Sequence, residues 1–383
     1  MKGEFTLNLK DIYFDIPKAH SIKNLILSLF SSDDKKKYEP SYARTHRNYY
    51  IINYEPFIIA VLEPINDFQI FSQIIGKNKE VVYLKFFSWT LFDNPGILKR
   101  TIFDYKNHIK KFPKHKIVLL LNTKEEYHYF IKKGINCRFI NHNALVDTNI
   151  FKPRNIKKKY DVIYNGRLEI VKRHYLLELC KNIGLLSASV LRLDNSKLEY
   201  LNKLRKVIPD AQILNFDEPI NLSELSSTLN MPILNTSKVS RILNESKVGV
   251  ILSYKEGACY ASIEYLLSGL PIVSTANIGG RDVFLDKRFC KTSLSNPYSI
   301  KKTISNLLKE NISSEFIRSV TMTNIKSHID KMKILLNEIF IEYGMSNVNI
   351  DEVWDKIYIN KMLKNGEKFP QNLINDINSK DSD

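Results

Sequence analysis

Residues 256–282 read EGACYASIEYLLSGLPIVSTANIGGRD. The apolar, β-rich run Val248–Ser253 (VGVILS) precedes them, and a second one, Pro271–Ser274, lies inside them. Between the two, the pattern predicts a loop and then a helix from about Ala258 to Ser268. Gly269 is suited to ending that helix and Pro271 to opening the next strand. Strand, loop, helix and strand in this order form the repeating unit of a parallel α/β sheet. The order also places two carboxylates. Glu256 falls where the strand edge meets the helix N-terminus, beside the amides of Gly257, Ala258, Cys259 and Tyr260. Those amides suit a phosphate, and Gly257 lets a ligand approach the main chain closely. Glu264 follows eight residues later, flanked by Ile263, Leu266 and Leu267. A carboxylate in such company needs partners, and two vicinal ribose hydroxyls would satisfy both its oxygens. Glu256 in turn suits the hydroxyls of a sugar. The plainer alternative is two unrelated glutamates.

Outward from this stretch the same alternation continues in both directions. Asp161–Tyr164, Ala188–Leu193 and Gln212–Asn215 are further strand candidates upstream. Earlier still come Tyr49–Asn53, Phe57–Leu62, Val81–Leu84 and Ile117–Leu121, short, apolar and β-rich, as strands covered on both faces are. Leu98, Ile102, Tyr105, Ile109 and Phe112 recur at helical spacing, and Asn122-Thr123 precedes a second helix that closes on Gly134. The charged segment PRNIKKKYD, 153–161, separates two such series. The expected architecture is two doubly wound domains, 1–154 and 155–345. Residues 346–383 are expected to form a helix that crosses back to the first domain, followed by a loose polar tail.

Composition narrows the class. The 383 residues are 44% hydrophobic, enough for two cores, and carry a formal charge of +16. Such an excess points to nucleic acid, anionic lipid or phosphorylated ligands, although a lysine-rich composition alone would also produce it. The four cysteines, at 137, 180, 259 and 290, form no CxxC pair, which argues against a zinc or disulfide framework and for a reducing compartment. No signal-like or membrane-spanning run is evident, so a cytoplasmic protein is expected.

A further stretch completes the site. In YDVIYNGRLEIVKRHYLLELC, 160–180, the pattern predicts a strand ending at Asn165-Gly166 and a helix starting near Lys172-Arg173. Arg167 and Lys172 then emerge at the C-terminal sheet edge, a fork and a point charge for a diphosphate. A solvated basic loop is the alternative.

Taken together these motifs resemble the GT-B glycosyltransferases of family 4. The Glu-x7-Glu frame stands as Glu256, Gly257, Glu264, Gly269, Pro271 and Val273, and the Gly-Arg-Leu stretch with its lysine as Gly166, Arg167, Leu168 and Lys172. Val146, Asp147, Phe151 and Pro153 match the segment entering the linker, and Gly279-Gly280-Arg281-Asp282 a downstream loop. The resemblance implies two Rossmann-like domains facing across a cleft and a retaining sugar transfer from a nucleotide-sugar by front-face displacement. Arg167 and Lys172 would hold the diphosphate, Glu256 the sugar and Glu264 the ribose, with Arg281 a weaker candidate. No metal and no cofactor are expected beyond the nucleotide-sugar. The acceptor would be a hydroxyl of a glycan or lipid-linked molecule, as in bacterial surface polysaccharide or lipopolysaccharide assembly.

This chain departs from the family at several points. Cys259 stands where the family has its second glycine, and Ala258 where it has an aromatic. FDIPKAHSIKNL, 14–25, lacks the usual Gly-Gly loop, which leaves His20 as a candidate. VYLKFFSW, 82–89, lacks the usual histidine, which leaves Lys85 and Ser88. A degenerate copy that binds a nucleotide-sugar or a partner without turnover is therefore the alternative. The basic helix over about 98–114 makes an anionic membrane surface a candidate partner, against a merely solvated face. Nucleic acid ranks last, since no reading motif supports it.

Overall fold

The computed structural model describes residues 47–62, 65, 68–76, 78–187, 195–225, 231–357, 364–366 and 371–378. His20, the expected strand Ala188–Leu193 and residues 381–383 lie outside them. The chain divides into two compact units, one of Asp147–Ile325 and one of the described residues before and after it.

In the N-terminal unit the elements run β1 (Arg47–Tyr54), β2 (Phe57–Val61), α1 (Phe68–Ile75), β3 (Val81–Phe86), α2 (Pro95–Lys111), β4 (His115–Leu121), α3 (Lys124–Ile131) and β5 (Cys137–Phe139). β2, β3, β4 and β5 are parallel, while β1 pairs antiparallel with β2. The apolar runs are continuous because both faces are covered. Phe57, Ile59, Val61, Val81, Tyr83, Ile117 and Leu119 enter one core, and their neighbours Ile58, Ala60, Val82, Leu84, Val118 and Leu120 enter the other. Thr123 caps α3 by accepting from the Glu126 amide at 3.0 Å. The fully buried Glu126 carboxylate reaches across to accept from the Leu91 amide at 2.9 Å. Burial holds its pKa above the ordinary carboxylate value.

The C-terminal unit contains β6 (Tyr160–Asn165), β7 (Ile183–Leu186), α4 (Asn195–Val207), β8 (Gln212–Ile213), β9 (Ile220–Asn221), α5 (Thr236–Asn244), β10 (Ser246–Ile251), α6 (Tyr260–Leu267), β11 (Ile272–Thr275), β12 (Cys290–Ser293) and α7 (Pro297–Lys309). Its sheet runs β12-β11-β10-β6-β7-β8-β9, parallel except for β9. β6 is first in sequence yet lies between β10 and β7, so the winding direction reverses at the β6–β10 junction. Open α/β sheets bind ligands at the C-terminal edge of such a junction. Gly269, at φ +75°, ends α6, and the Leu270 amide bonds back to Tyr265.

Two expectations need correction. No α-helix starts at Lys172: the chain makes short 3-10 turns over Ile170–Lys172 and His174–Leu177, with Arg173 between them at φ +55°. A left-handed residue cannot continue a right-handed helix, and the apolar spacing of HYLLELC concealed this. The C-terminal stretch is likewise not one helix followed by a loose tail. Helix α8 (Ser314–Glu342) carries the chain from one unit into the other. Its residues Met332, Leu335, Leu336 and Ile339 join the second core of the N-terminal unit, with Trp354 packed against it. Helix α9 (Ile350–Lys356) is short, β13 (Lys364–Gly366) pairs antiparallel with β1, and the supposed tail forms α10 (Gln371–Asn378). Edge pairing supplies the backbone hydrogen bonds of 364–366. Buried Leu373 and the Asp376 carboxylate, which accepts from Tyr49 Oη at 2.7 Å, hold α10 down.

Candidate functional site

The site is assembled by the loops that leave β6 and β10. After β6, Gly166 bonds to Leu186 at 2.8 Å and the chain turns to bring Lys172 inward. Tyr164 fixes that turn, because its hydroxyl donates to the Lys172 carbonyl at 2.6 Å and accepts from the Leu252 amide at 3.2 Å. One buried phenol thus ties the two strand ends together. After β10, the Glu256 amide bonds to the Ile278 carbonyl at 3.1 Å, which holds its side chain at the sheet edge.

Lys172 and Glu256 meet directly, 84 residues apart in sequence and both buried. The spacing suggested separate tasks for them, and the structure joins them in one ion pair. An ammonium has three donors, so Glu256 leaves others for a second acceptor. Glu264, 2% exposed in α6, accepts from Asn165 Nδ2 at 3.1 Å. Asn165, the last residue of β6, was missed in the sequence. Its position just before the Gly-Arg-Leu stretch is the signal that would have found it. Its main-chain N–H donates to Tyr265 Oη at 2.5 Å. Tyr265 reaches there because Gly249 of β10 lies beneath its ring: a Cβ at 249 would come within 2.4 Å of a ring carbon.

The start of α6 carries Gly257 and Ala258, both buried, then Cys259 and Tyr260. Cys259 is the N-cap, at φ +62°. That left-handed backbone favours glycine, so a cysteine here bears strain. Burial, and then Glu256 nearby, push the Cys259 thiol up to about 12. That favours the neutral thiol.

The other candidates are arranged differently. Arg167 is exposed and pairs with Glu169 at 3.2 Å. Arg281 is fully buried. Its guanidinium donates to the carbonyls of Ser253 at 2.7 Å and Thr275 at 2.5 Å and to Asp282 at 2.7 Å, clamping the ends of β10 and β11. Arg173, also missed, does similar work by bonding to the Leu252 carbonyl and Thr275 Oγ1, both at 2.6 Å. His174 beside it is fully buried, and burial, then the Lys172 charge, lower its pKa to about 3. Lys85 and Ser88 belong to the N-terminal unit. Lys85 is buried and donates to the Leu62 carbonyl at 2.9 Å, while Ser88 is exposed.

No protein-family model matches the chain, and no curated protein matches it in sequence. Among solved structures it is similar to the sucrose-phosphate synthase of Thermosynechococcus elongatus, with a TM-score of 0.51 and 11% identity over 73% of this chain and 77% of that one. It is also similar to HepE of Anabaena in complex with UDP, with a TM-score of 0.50 and 13% identity over 72% and 76%. These neighbours are GT-B glycosyltransferases, and the likeness is one of fold: the chain is an α/β protein of two Rossmann-like units in the GT-B arrangement of elements.

Proposed function

We propose that the chain is a retaining glycosyltransferase that moves a sugar from a nucleoside-diphosphate donor to a hydroxyl of a glycan or lipid-linked acceptor, as surface polysaccharide assembly requires. The observation that carries this reading is the convergence of Lys172, Glu256 and the Asn165–Glu264 pair at the one edge of the C-terminal sheet where the winding reverses. In this reading Glu264 grips the ribose hydroxyls, Glu256 the donor sugar, and the donors of Lys172 not used by Glu256 take phosphate oxygens. The amides of Gly257, Ala258, Cys259 and Tyr260 add their dipoles, and Arg167 approaches from solvent. Arg281 and Arg173 act as positioning residues through the strand ends they clamp.

The step needs no covalent enzyme intermediate. The acceptor oxygen bonds to the anomeric carbon from the side on which the bond to the diphosphate breaks, and its proton passes to the departing phosphate oxygen. The protein's part is to stabilise the charge growing on that oxygen, and one such donor is typically worth about 3 kcal/mol, or ~100-fold in rate. The reaction is proposed to need no cofactor beyond the donor, with the chain acting in the cytoplasm. A nucleotide-sugar binder without turnover is the second reading, kept alive by Cys259 in the glycine position.

The test is a screen of the purified chain against UDP-, GDP-, ADP- and dTDP-sugars by thermal shift and donor hydrolysis. Stabilisation by one donor with slow hydrolysis, both lost in Glu264→Ala, is expected. Stabilisation without hydrolysis or transfer would favour the binder, and no response to any nucleotide would remove both readings.

A further inference from the structure

We propose that the outward face of α2 docks on the surface of an anionic lipid bilayer, with Phe103 entering the acyl region. This goes beyond the transfer reading and stands without it. Helix α2 packs Leu98, Thr101 and His108 inward. At 3.6 residues per turn, Phe103 projects about 140° from both Leu98 and His108, the middle of the opposite face. It is 64% exposed, and Ile97 toward the helix start is 38% exposed. The cations cluster around it: Lys99, Arg100, Lys106, Lys110 and Lys111 all lie within about 80° of Phe103 on the helix. The only carboxylate of the helix is Asp104, bonded to Arg100 at 3.3 Å.

The basic composition of the chain does not by itself produce this. The longer α8 carries four cations and four carboxylates, with Lys326–Asp330 and Lys333–Asp351 among its ion pairs. Alpha helix α2 concentrates one sign of charge around an exposed aromatic. A bilayer of anionic headgroups accepts both features at once, since the headgroups take the cations and the acyl boundary takes the ring. A duplex nucleic acid would meet the cations but leave the Phe103 ring in water on a convex helix. No helix among the described residues is long and apolar enough to cross a membrane, so the contact is one of lying on the surface.

The test uses the full chain with vesicles of phosphatidylcholine, alone or with about one-quarter phosphatidylglycerol. Flotation should recover the protein with the anionic vesicles and not with the neutral ones. Each lysine near such a surface contributes roughly fivefold, so Lys106→Glu/Lys110→Glu should weaken binding by at least ~25-fold. Phe103→Ser should weaken it severalfold, and high salt should not restore the difference. Phe103→Trp provides a direct reading, with an emission that moves to shorter wavelength on anionic vesicles and is quenched by brominated acyl chains above the background of Trp89 and Trp354. This reading survives even if the double variant folds poorly. Equal recovery with neutral vesicles, variants that bind like the parent, or an unshifted tryptophan would overturn the proposal. So would a charge-reversed variant that loses single-stranded RNA while keeping vesicles.

Discussion

The C-terminal edges of the two sheets are made of different chemistry. In the N-terminal unit the loops after β3, β4 and β5 are stitched by neutral amides and by the buried Glu126 carboxyl, whose pKa burial raises. Asn122 Nδ2 donates to the Phe87 carbonyl at 2.7 Å, Asn141 Nδ2 to the Asn122 carbonyl at 3.0 Å, and the Asn143 amide to Asn141 Oδ1 at 3.0 Å. Even the buried cation there, Lys85, donates to backbone carbonyls. In the C-terminal unit the corresponding edge gathers Lys172, Glu256 and Glu264, with Arg173 and Arg281 bracing the strands beneath them. Buried amides satisfy one another and stay inert, whereas buried charges need opposite charges or a ligand. The same position in two similar sheets is therefore a joint in one and a candidate reaction site in the other.

The largest expected effect comes from breaking the charged edge. Glu256→Ala should lower turnover ~100-fold or more while nucleotide affinity stays within a few-fold, read from kcat and from titration of the nucleoside diphosphate. The matching change at the neutral edge, Lys85→Met, should cost about 1–2 kcal/mol of stability by leaving the Leu62 and Phe86 carbonyls without their donor, with turnover unchanged. A turnover loss at constant stability would move Lys85 into the site and dissolve the contrast.

Acid should separate the units next. Burial lowers His108 to about 3 and His142 and His328 to about 4 in the N-terminal unit, and His174 to about 3 in the C-terminal one. A histidine depressed in the folded state binds its proton mainly on unfolding, so its stabilisation is full above pH ~6.5 and falls as pH drops toward the folded value. Each such group costs about 2 kcal/mol by pH 5. Calorimetry between pH 7 and 5 should therefore show the transition of the N-terminal unit falling further. Equal shifts would refute the assignment of these burials.

The smallest effect is conformational. Cys259→Gly relieves a φ of +62° and should stabilise the C-terminal unit by about 0.5–1 kcal/mol, a rise of a few degrees in its Tm. A lower Tm would mean that the buried thiol packs better than its backbone is strained.

The strands of the N-terminal core were readable because both their faces are covered, which makes Phe57–Val61 and the run from Ile117 to Leu121 continuously apolar. Strands β5, β7 and β12 were not, because Arg138, Gly184 and Lys291-Thr292 interrupt their short apolar runs, whereas the equally short β11 opens on Ile272-Val273. Glu256 and Lys172 were visible as residue types at strand-following loops, and Glu264 as a carboxylate inside an apolar helix. Their contact was not, since pairing Lys172 with Glu256 depends on strand order, and nothing local in the sequence encodes that β10 lies beside β6. Arg281 looked like a ligand cation because arginine at a sheet edge usually is one, and Arg173 was passed over. Only the coordinates show their donors committed to carbonyls.

The central claim is that one lysine and two carboxylates at the β6–β10 edge hold the two ends of a nucleotide-sugar. The most direct measurement is calorimetric titration of a nucleoside diphosphate and its parent nucleoside into the parent chain, Lys172→Ala and Glu264→Ala. Lys172→Ala should weaken the diphosphate at least tenfold and leave the nucleoside unchanged, while Glu264→Ala should weaken both alike. Equal losses for both ligands in Lys172→Ala, or none in Glu264→Ala, would contradict it.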